Sequence, residues 1–326
     1  MISEIGLIAN PRAGKGFVAL APVHEMAMNR GVPMHITNNI GEIAGTLRKL
    51  VGERQVKVLL VYGGDGTLHQ VIDMLLYERD RGRIPYVPLV VPMGGGTMRS
   101  VFHWLGWKER PLEILRRIHD GSLDRLPIRK FKPLALTFFN RDKGRVETHY
   151  GFIFIMGAVN RVIELYEHND KSPIGGMKHI ALGALGSITG FPRSHRKVVQ
   201  QFDASILADG SPLQQNAPIT VICSVCDNLL FGIKPFAVPA ESNQFQALCY
   251  SAPAWLISAL VPLEWRATFV PPGSRFFNDA VFSFEIIPAK EDTFFLDGEH
   301  MNCKAGEPIR IELGPEIEFV AHFDPA

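Results

Sequence analysis

Apolar residues in the first part of the chain follow two alternating rhythms. Continuous apolar runs at Ile5–Ala9, Val58–Tyr62 and Val87–Val91 predict buried strands, and Met34–Thr37 reads as a shorter one. Between them the apolar spacing is helical. Leu68, Val71, Ile72, Leu75 and Leu76 share one face of a helix, and Phe17–Arg30, Ile43–Val51, Met98–Leu105 and Pro111–His119 also read as helices. Strands alternating with helices predict a parallel sheet covered on both faces. Right-handed crossovers then put every loop that follows a strand at one sheet edge, where open α/β sheets bind ligands.

After Pro127 the rhythm changes. Short β-prone segments such as KPLALTFF, THYGFIFIMG, APITVICSVC, DTFFLDG and PIRIELG are bounded by turn residues, which predicts an antiparallel β-sandwich. Helical interruptions are expected at Val159–Glu167 and Gly176–Ile188. The expected organisation is an N-terminal doubly wound, Rossmann-like α/β domain over 1–126 and a C-terminal β-sandwich domain over 127–326. The linker is expected near Leu123–Lys130.

Composition narrows the function classes. The 326 residues are 46% hydrophobic and 21% charged, the balance of a globular protein and not of a disordered chain. A net charge of +1 argues against a nucleic-acid binder that works by bulk charge. Four cysteines make no disulfide framework, and Cys223 and Cys226 lie in a strand-like run as core thiols. No signal-peptide pattern opens the chain, and apolar runs such as Trp255–Leu263 reach about half of a membrane span. A reducing cytoplasm is the expected location. No H-E-x-x-H or G-x-S-x-G is present, so neither a zinc site nor a hydrolase elbow is expected.

Three loops at the expected sheet edge are built from glycine and small residues: NPRAGKG (Asn10–Gly16), GGDGT (Gly63–Thr67) and PMGGGT (Pro92–Thr97). One glycine turn says little, but three at one edge point to an anion approached by backbone amides. Gly63–Thr67 reads as the turn from strand to helix, with Thr67 as the helix cap and Asp65 near the positive helix end. Neither G-x-G-x-x-G nor G-x-x-x-x-G-K-[ST] occurs. Asp297-Gly298, taken alone, reads as a hairpin turn.

NPRAGKG, GGDGTLHQVIDML, PMGGGT and the distant LDGE (Leu296–Glu299) occur in an order and at spacings that resemble the diacylglycerol kinase-like lipid kinases, including sphingosine and ceramide kinases. The resemblance covers nearly the whole chain. GGDGT alone is shared with NAD kinases, and the other motifs favour the lipid-kinase branch. It implies an ATP- and Mg²⁺-dependent kinase that phosphorylates a hydroxyl of diacylglycerol, sphingosine or a similar apolar alcohol, with ATP between the domains. Asn10, Arg12, Gly14 and Lys15 would frame the phosphates, and Thr37 matches a nucleotide contact. Gly63, Gly64, Asp65, Gly66, Thr67, Leu68 and His69 would wrap the phosphates, with Gly96, Thr97 and Arg99 approaching from the fourth-strand loop. Asp297 and Glu299 match the proposed base of the bacterial members, while Asp65 matches an aspartate given that role in sphingosine and NAD kinases. The reading adopted makes the DGE pair the base and Asp65 the metal and phosphate residue.

The chain departs from the family in places. Arg99 and Ser100 stand where an asparagine and an aspartate are usual, Gln70 where a glutamate is, and Ala240–Leu248 replaces an acidic segment that holds a structural Mg²⁺ in bacterial relatives. Arg99 could neutralise phosphate directly. The alternatives are a catalytically degenerate nucleotide- or lipid-binding module and an NAD kinase-type phosphotransferase. A lipid substrate also implies transient contact with the inner membrane face, for which the basic FPRSHRK loop (Phe191–Lys197) and the aromatics of His103–Trp107 and Ala254–Trp265 are candidates, against a solvated loop and core packing. A homodimer is left open.

Overall fold

The computed structural model describes residues 4–12, 17–37, 39–94, 111–119, 127–169, 200–215, 217–227, 229, 234–253, 256 and 273–320. The chain divides into two compact units, Met1–Pro133 with Gly314–Ala326, and Leu134–Leu313.

The first unit is built on a six-stranded sheet. In chain order it contains β1 (Ile5–Ala9), α1 (Phe17–Asn29), β2 (Met34–Ile36), α2 (Ile40–Leu47), β3 (Val58–Gly63), α3 (Asp65–Asp80), β4 (Leu89–Gly94), α4 (Pro111–His119) and β5 (Ile128–Phe131). Spatially the order is β2, β1, β3, β4, then β18 (Ile317–Val320), then β5. The first four strands are parallel, in registers such as Ala9↔Tyr62 and Val61↔Pro92. Leu7, Ile8, Leu59, Leu60, Val90 and Val91 are fully buried, as continuous apolar strands between helical layers should be. The expected apolar face of α3 forms: Leu68, Val71, Ile72, Leu75 and Leu76 are all buried.

Several boundaries differ from the sequence reading. The helix expected over Ile43–Val51 starts earlier, because the Asn39 side chain caps it, accepting from the Glu42 N–H and donating to Glu42 Oε1 at 2.7 Å. It then passes into a π-helical turn, Arg48–Glu53, which buries both Leu50 and Val51. The fourth strand runs on through Pro92 and Met93 to Gly94, so half of the PMGGGT loop is strand. Residues 128–130 of the expected linker belong to β5. The boundary expected at 126/127 moves for the same kind of reason. β5 and β18 pair with each other, Ile317↔Phe131 to Val320↔Ile128, and β18 joins β4 at Phe319↔Val90, so both ends of the expected second domain lie in the first sheet.

The second unit contains β6 (Leu134–Asn140), β7 (Arg145–Gly151), β8 (Ile153–Gly157), α5 (Ala158–Asn169), β9 (Ala204–Ala208), β10 (Ser211–Pro212), β11 (Thr220–Ser224), β12 (Phe245–Tyr250), β13 (Phe276–Val281), β14 (Ser283–Pro288), β15 (Asp292–Leu296), β16 (Glu299–Cys303) and β17 (Ile309–Leu313). These strands form one antiparallel sheet in the order β10, β9, β14, β17, β6, β16, β15, β8, β11, β12, β13, with β7 beside β6. The sheet curls until strands from distant parts of that order share a core. Ile206 of β9, Phe284 of β14, Phe154 of β8 and Phe245 of β12 belong to one buried cluster, and the Phe277 and Phe284 rings lie 6.1 Å apart. The two-sided packing expected of a sandwich is thus made by one continuous sheet. α5 fulfils the expected helix at Val159–Glu167; the helices expected at Met98–Leu105 and Gly176–Ile188 lie outside the described residues. Cys223 and Cys226 are buried and form no disulfide, and burial pushes the Cys223 thiol up. No described helix is long and apolar enough to cross a membrane.

Candidate functional site

The strand order of the first unit defines where a ligand belongs. From β1 the chain moves outward to β2 and then returns to the other side of β1 for β3. The gap beyond the carboxyl ends of β1 and β3 is therefore the topological switch point of the sheet. Asn10 follows β1 and the Gly63-Gly64 pair ends β3, so both loops flank it. Asn10 ties them together. Its N–H donates to the Tyr62 carbonyl at 2.9 Å, its Nδ2 donates to Thr67 Oγ1 at 2.8 Å, and its Oδ1 accepts the Arg12 N–H at 2.9 Å. Thr37, just beyond β2, is buried and donates both its N–H and its hydroxyl to the Ala9 carbonyl, at 2.9 and 3.4 Å.

The start of α3 is tighter than the sequence suggests. A Cβ at Gly63 would fall 2.4 Å from the Thr67 Cβ, so only glycine lets the strand pass so close to the helix. The helix cap is Gly64, in extended conformation and without a side chain to bond the first amides, and the helix begins at Asp65. Thr67 is therefore not the cap: it sits inside the first turn, and its hydroxyl accepts from Asn10. Gly64, Asp65 and Gly66 are partly exposed at the positive end of a 16-residue helix, where the macrodipole and backbone N–H groups favour an anion. The rest of the segment faces inward. Leu68 and His69 are buried, and the Leu68 N–H donates to the Gly64 carbonyl at 3.0 Å. An anion here would meet backbone at Gly64–Gly66 and not the Leu68 or His69 side chains. Gly14, Lys15, Gly96, Thr97, Arg99 and Ser100 lie outside the described residues.

The acidic pair of the second unit sits on a hairpin. β15 and β16 are joined by the two-residue turn Asp297-Gly298, with positive φ of 47° and 112° and Leu296 paired to Glu299. The hairpin reading of Asp-Gly thus holds. Asp297 is buried, and its two carboxylate oxygens accept separate backbone amides: Oδ2 from Phe152 and Oδ1 from Ile153, the latter at 2.8 Å. Its own N–H donates to the Ile153 carbonyl at 3.2 Å. Gly151 makes room, since a Cβ there would lie 2.7 Å from Asp297 Oδ2. Glu299, the first residue of β16, is half-buried. Sequence reasoning missed both the Asn10–Thr67 link and the Phe152–Ile153 amides, because neither leaves a local pattern.

Fold and local geometry define a two-unit protein with a doubly wound sheet, a glycine-entered helix start at its switch point, and a curled antiparallel unit bearing an acidic hairpin. Residues 4–130 match the family model described as the diacylglycerol kinase catalytic domain. Among solved structures the chain is similar to a diacylglycerol kinase from Bacillus anthracis str. Sterne, at 15% identity and a TM-score of 0.60, covering 98% of this chain and 97% of that one. It is also similar to a protein from the same organism described as a candidate diacylglycerol kinase, at 17% identity and a TM-score of 0.68, covering 98% of each chain. No curated protein matches the sequence.

Proposed function

We propose that the protein is an ATP- and Mg²⁺-dependent lipid kinase, transferring the γ-phosphate to a hydroxyl of diacylglycerol, sphingosine or a similar lipid alcohol. The observation that carries this is the Asn10–Thr67 hydrogen bond across the switch point, which holds the first loop against the glycine-entered start of α3. Phosphoryl transfer needs positioning and charge neutralisation more than covalent chemistry, and amides at a helix start supply both. In this reading Gly64–Gly66 meet phosphate oxygens and Asp65 organises their charge. Glu299 accepts the proton of the acceptor hydroxyl as its oxygen bonds to the γ-phosphorus and ADP departs.

The donor set suits a metal–nucleotide complex better than a free ion. Among the described residues no group of three or more His, Cys, Asp or Glu side chains could hold a metal. Mg²⁺ commonly keeps several waters and takes one or two carboxylates plus substrate phosphates, so Asp65 beside a bound triphosphate fits it. Bound, it would supply charge stabilisation at the phosphates.

The test is ADP release by the purified chain with ATP, Mg²⁺ and a panel of diacylglycerol, sphingosine, ceramide and NAD. Turnover with a lipid alcohol supports the reading, and turnover with NAD alone replaces it with an NAD kinase-type reaction. Nucleotide binding without ADP release favours the second reading, a degenerate binding module, for which Arg99 and Ser100 speak. Lipid access through the membrane surface predicts salt-sensitive binding to anionic vesicles. Equal partitioning to neutral ones would count against a basic contact.

A further inference from the structure

We propose that Asp297 is a positioning residue, a clamp that fixes the hairpin carrying Glu299 onto the bend between β7 and β8. This rests on the lipid-kinase reading and deepens it.

The bend creates a local need. β7 pairs with β6 as far as Leu134↔Gly151, and β8 takes up its pairing at Ile153. Phe152 and Ile153 are buried at that junction, and the Asp297 oxygens accept both of their N–H groups. Unmade, each would leave a buried donor without a partner, which costs more than the net gain of an ordinary hydrogen bond. Each Asp297 oxygen keeps a second lone pair, but the two amide donors favour the ionised carboxylate, so taking up the substrate proton would weaken both bonds of the clamp.

The same unit repeats the device away from the acidic pair. Asp209-Gly210 joins β9 to β10 with positive φ of 49° and 74°. Asp209 Oδ1 accepts the Phe282 and Ser283 amides, both at 2.8 Å, at the break between β13 and β14. An aspartate in left-handed conformation on an Asp-Gly hairpin therefore serves here to close a break between strands. The two hairpins differ in burial, Asp209 being exposed and Asp297 buried, and in the residue that follows, Ser211 after one and Glu299 after the other.

β15 is held at its other end as well. Asn160 Nδ2, fully buried on α5, donates to the Thr293 carbonyl and hydroxyl, both at 3.0 Å, and Arg161 reaches Asp292 at 3.4 Å. Strand and turn are thus pinned to the continuous β8–α5 segment at both ends, which fixes the backbone from which Glu299 projects.

The full-length chain and its D297N, E299Q, D209N and N160A variants are assayed with ATP, Mg²⁺ and diacylglycerol or sphingosine in mixed micelles, and hydrogen exchange is followed at 152–153 and 282–283. E299Q should lower kcat about 100-fold or more without altering exchange at 152–153. D297N should speed exchange there at least about tenfold and lower kcat about tenfold. It should leave KM for ATP within about twofold and keep the acidic limb of the pH–rate profile. D209N should open 282–283 and leave kcat within about twofold. Loss of the acidic limb in D297N with unchanged exchange would make Asp297 the proton acceptor and overturn the proposal, as would opened amides with unaltered kcat. Should D297N not fold, N160A loosens the same strand from its other end and should cut kcat severalfold; unchanged kcat overturns the proposal. Wild-type protein that releases no ADP with any acceptor defeats the kinase reading and the assignment to Glu299. The clamp itself is decided by the exchange arm alone.

Discussion

Gly63 shows how much a missing side chain can decide. Adding one carbon there would push into the Thr67 side chain, 2.4–2.7 Å away, and through it disturb the hydrogen bond from Asn10. Gly63→Ala should cost about 1–3 kcal/mol by thermal unfolding and weaken ATP binding at the same time. Unchanged nucleotide affinity in a destabilised variant would separate the turn from the ligand. A second residue sets an acid limit. Burial works to raise Glu147, but bonds from Lys143, Arg145 and His149 outweigh it and hold the carboxyl down to about 2 from an ordinary 4.5. Because the folded value is depressed, its stabilisation is complete above about 4.5 and is lost as pH falls toward about 2. With solvent screening of partly exposed partners, that is about 1–2 kcal/mol. Glu147→Gln should lower Tm at pH 7 by a few degrees and flatten its fall across that acid range. At this scale GGDGT was legible as the passage from strand to helix. The role of Thr67 was not, since its partner lies 57 residues earlier and no local rule encodes that meeting.

At the scale of elements, periodicity located the strands and helices well, and their ends poorly. The α3 stripe reads directly from sequence because one face of a helix must be apolar to pack. Where α2 becomes π-helical could not be read, because the widened turn follows from tertiary contacts. Arg48 reaches Glu78 of α3 at 3.0 Å and Arg83 reaches it at 3.1 Å, while the Glu78 side chain is only 1% exposed. That carboxylate joins the turn after α2 to the far half of α3. Glu78→Gln keeps the shape and removes the charge, and both arginines can turn to water. The expected loss is about 1–3 kcal/mol, read as a drop in the denaturant midpoint at constant slope. A midpoint within error of wild type would show that packing alone holds the two helices. The fourth strand ran past its expected end because Pro92, which lacks an N–H, pairs with Val61 beyond the Val90 position where β18 joins.

Across the whole chain, the change from α/β to β character was visible, but the units do not divide where the composition does. Alternating strands look alike in two stacked sheets and in one sheet that curls, so sequence could not tell a sandwich from the continuous sheet found. Nor does any pattern in IEFV announce that it lies between β4 and β5. A fragment of residues 1–133 should therefore lack cooperative thermal unfolding, and joining 314–326 to it through a short linker should restore the transition. Equal melting of both fragments would show that the inserted strand is dispensable. The return of β18 also sets an order of birth. As the polypeptide leaves the ribosome, the segment 134–313 emerges before the first sheet is complete, and that six-stranded sheet waits with a gap beside Val90 until residues 317–320 have been translated.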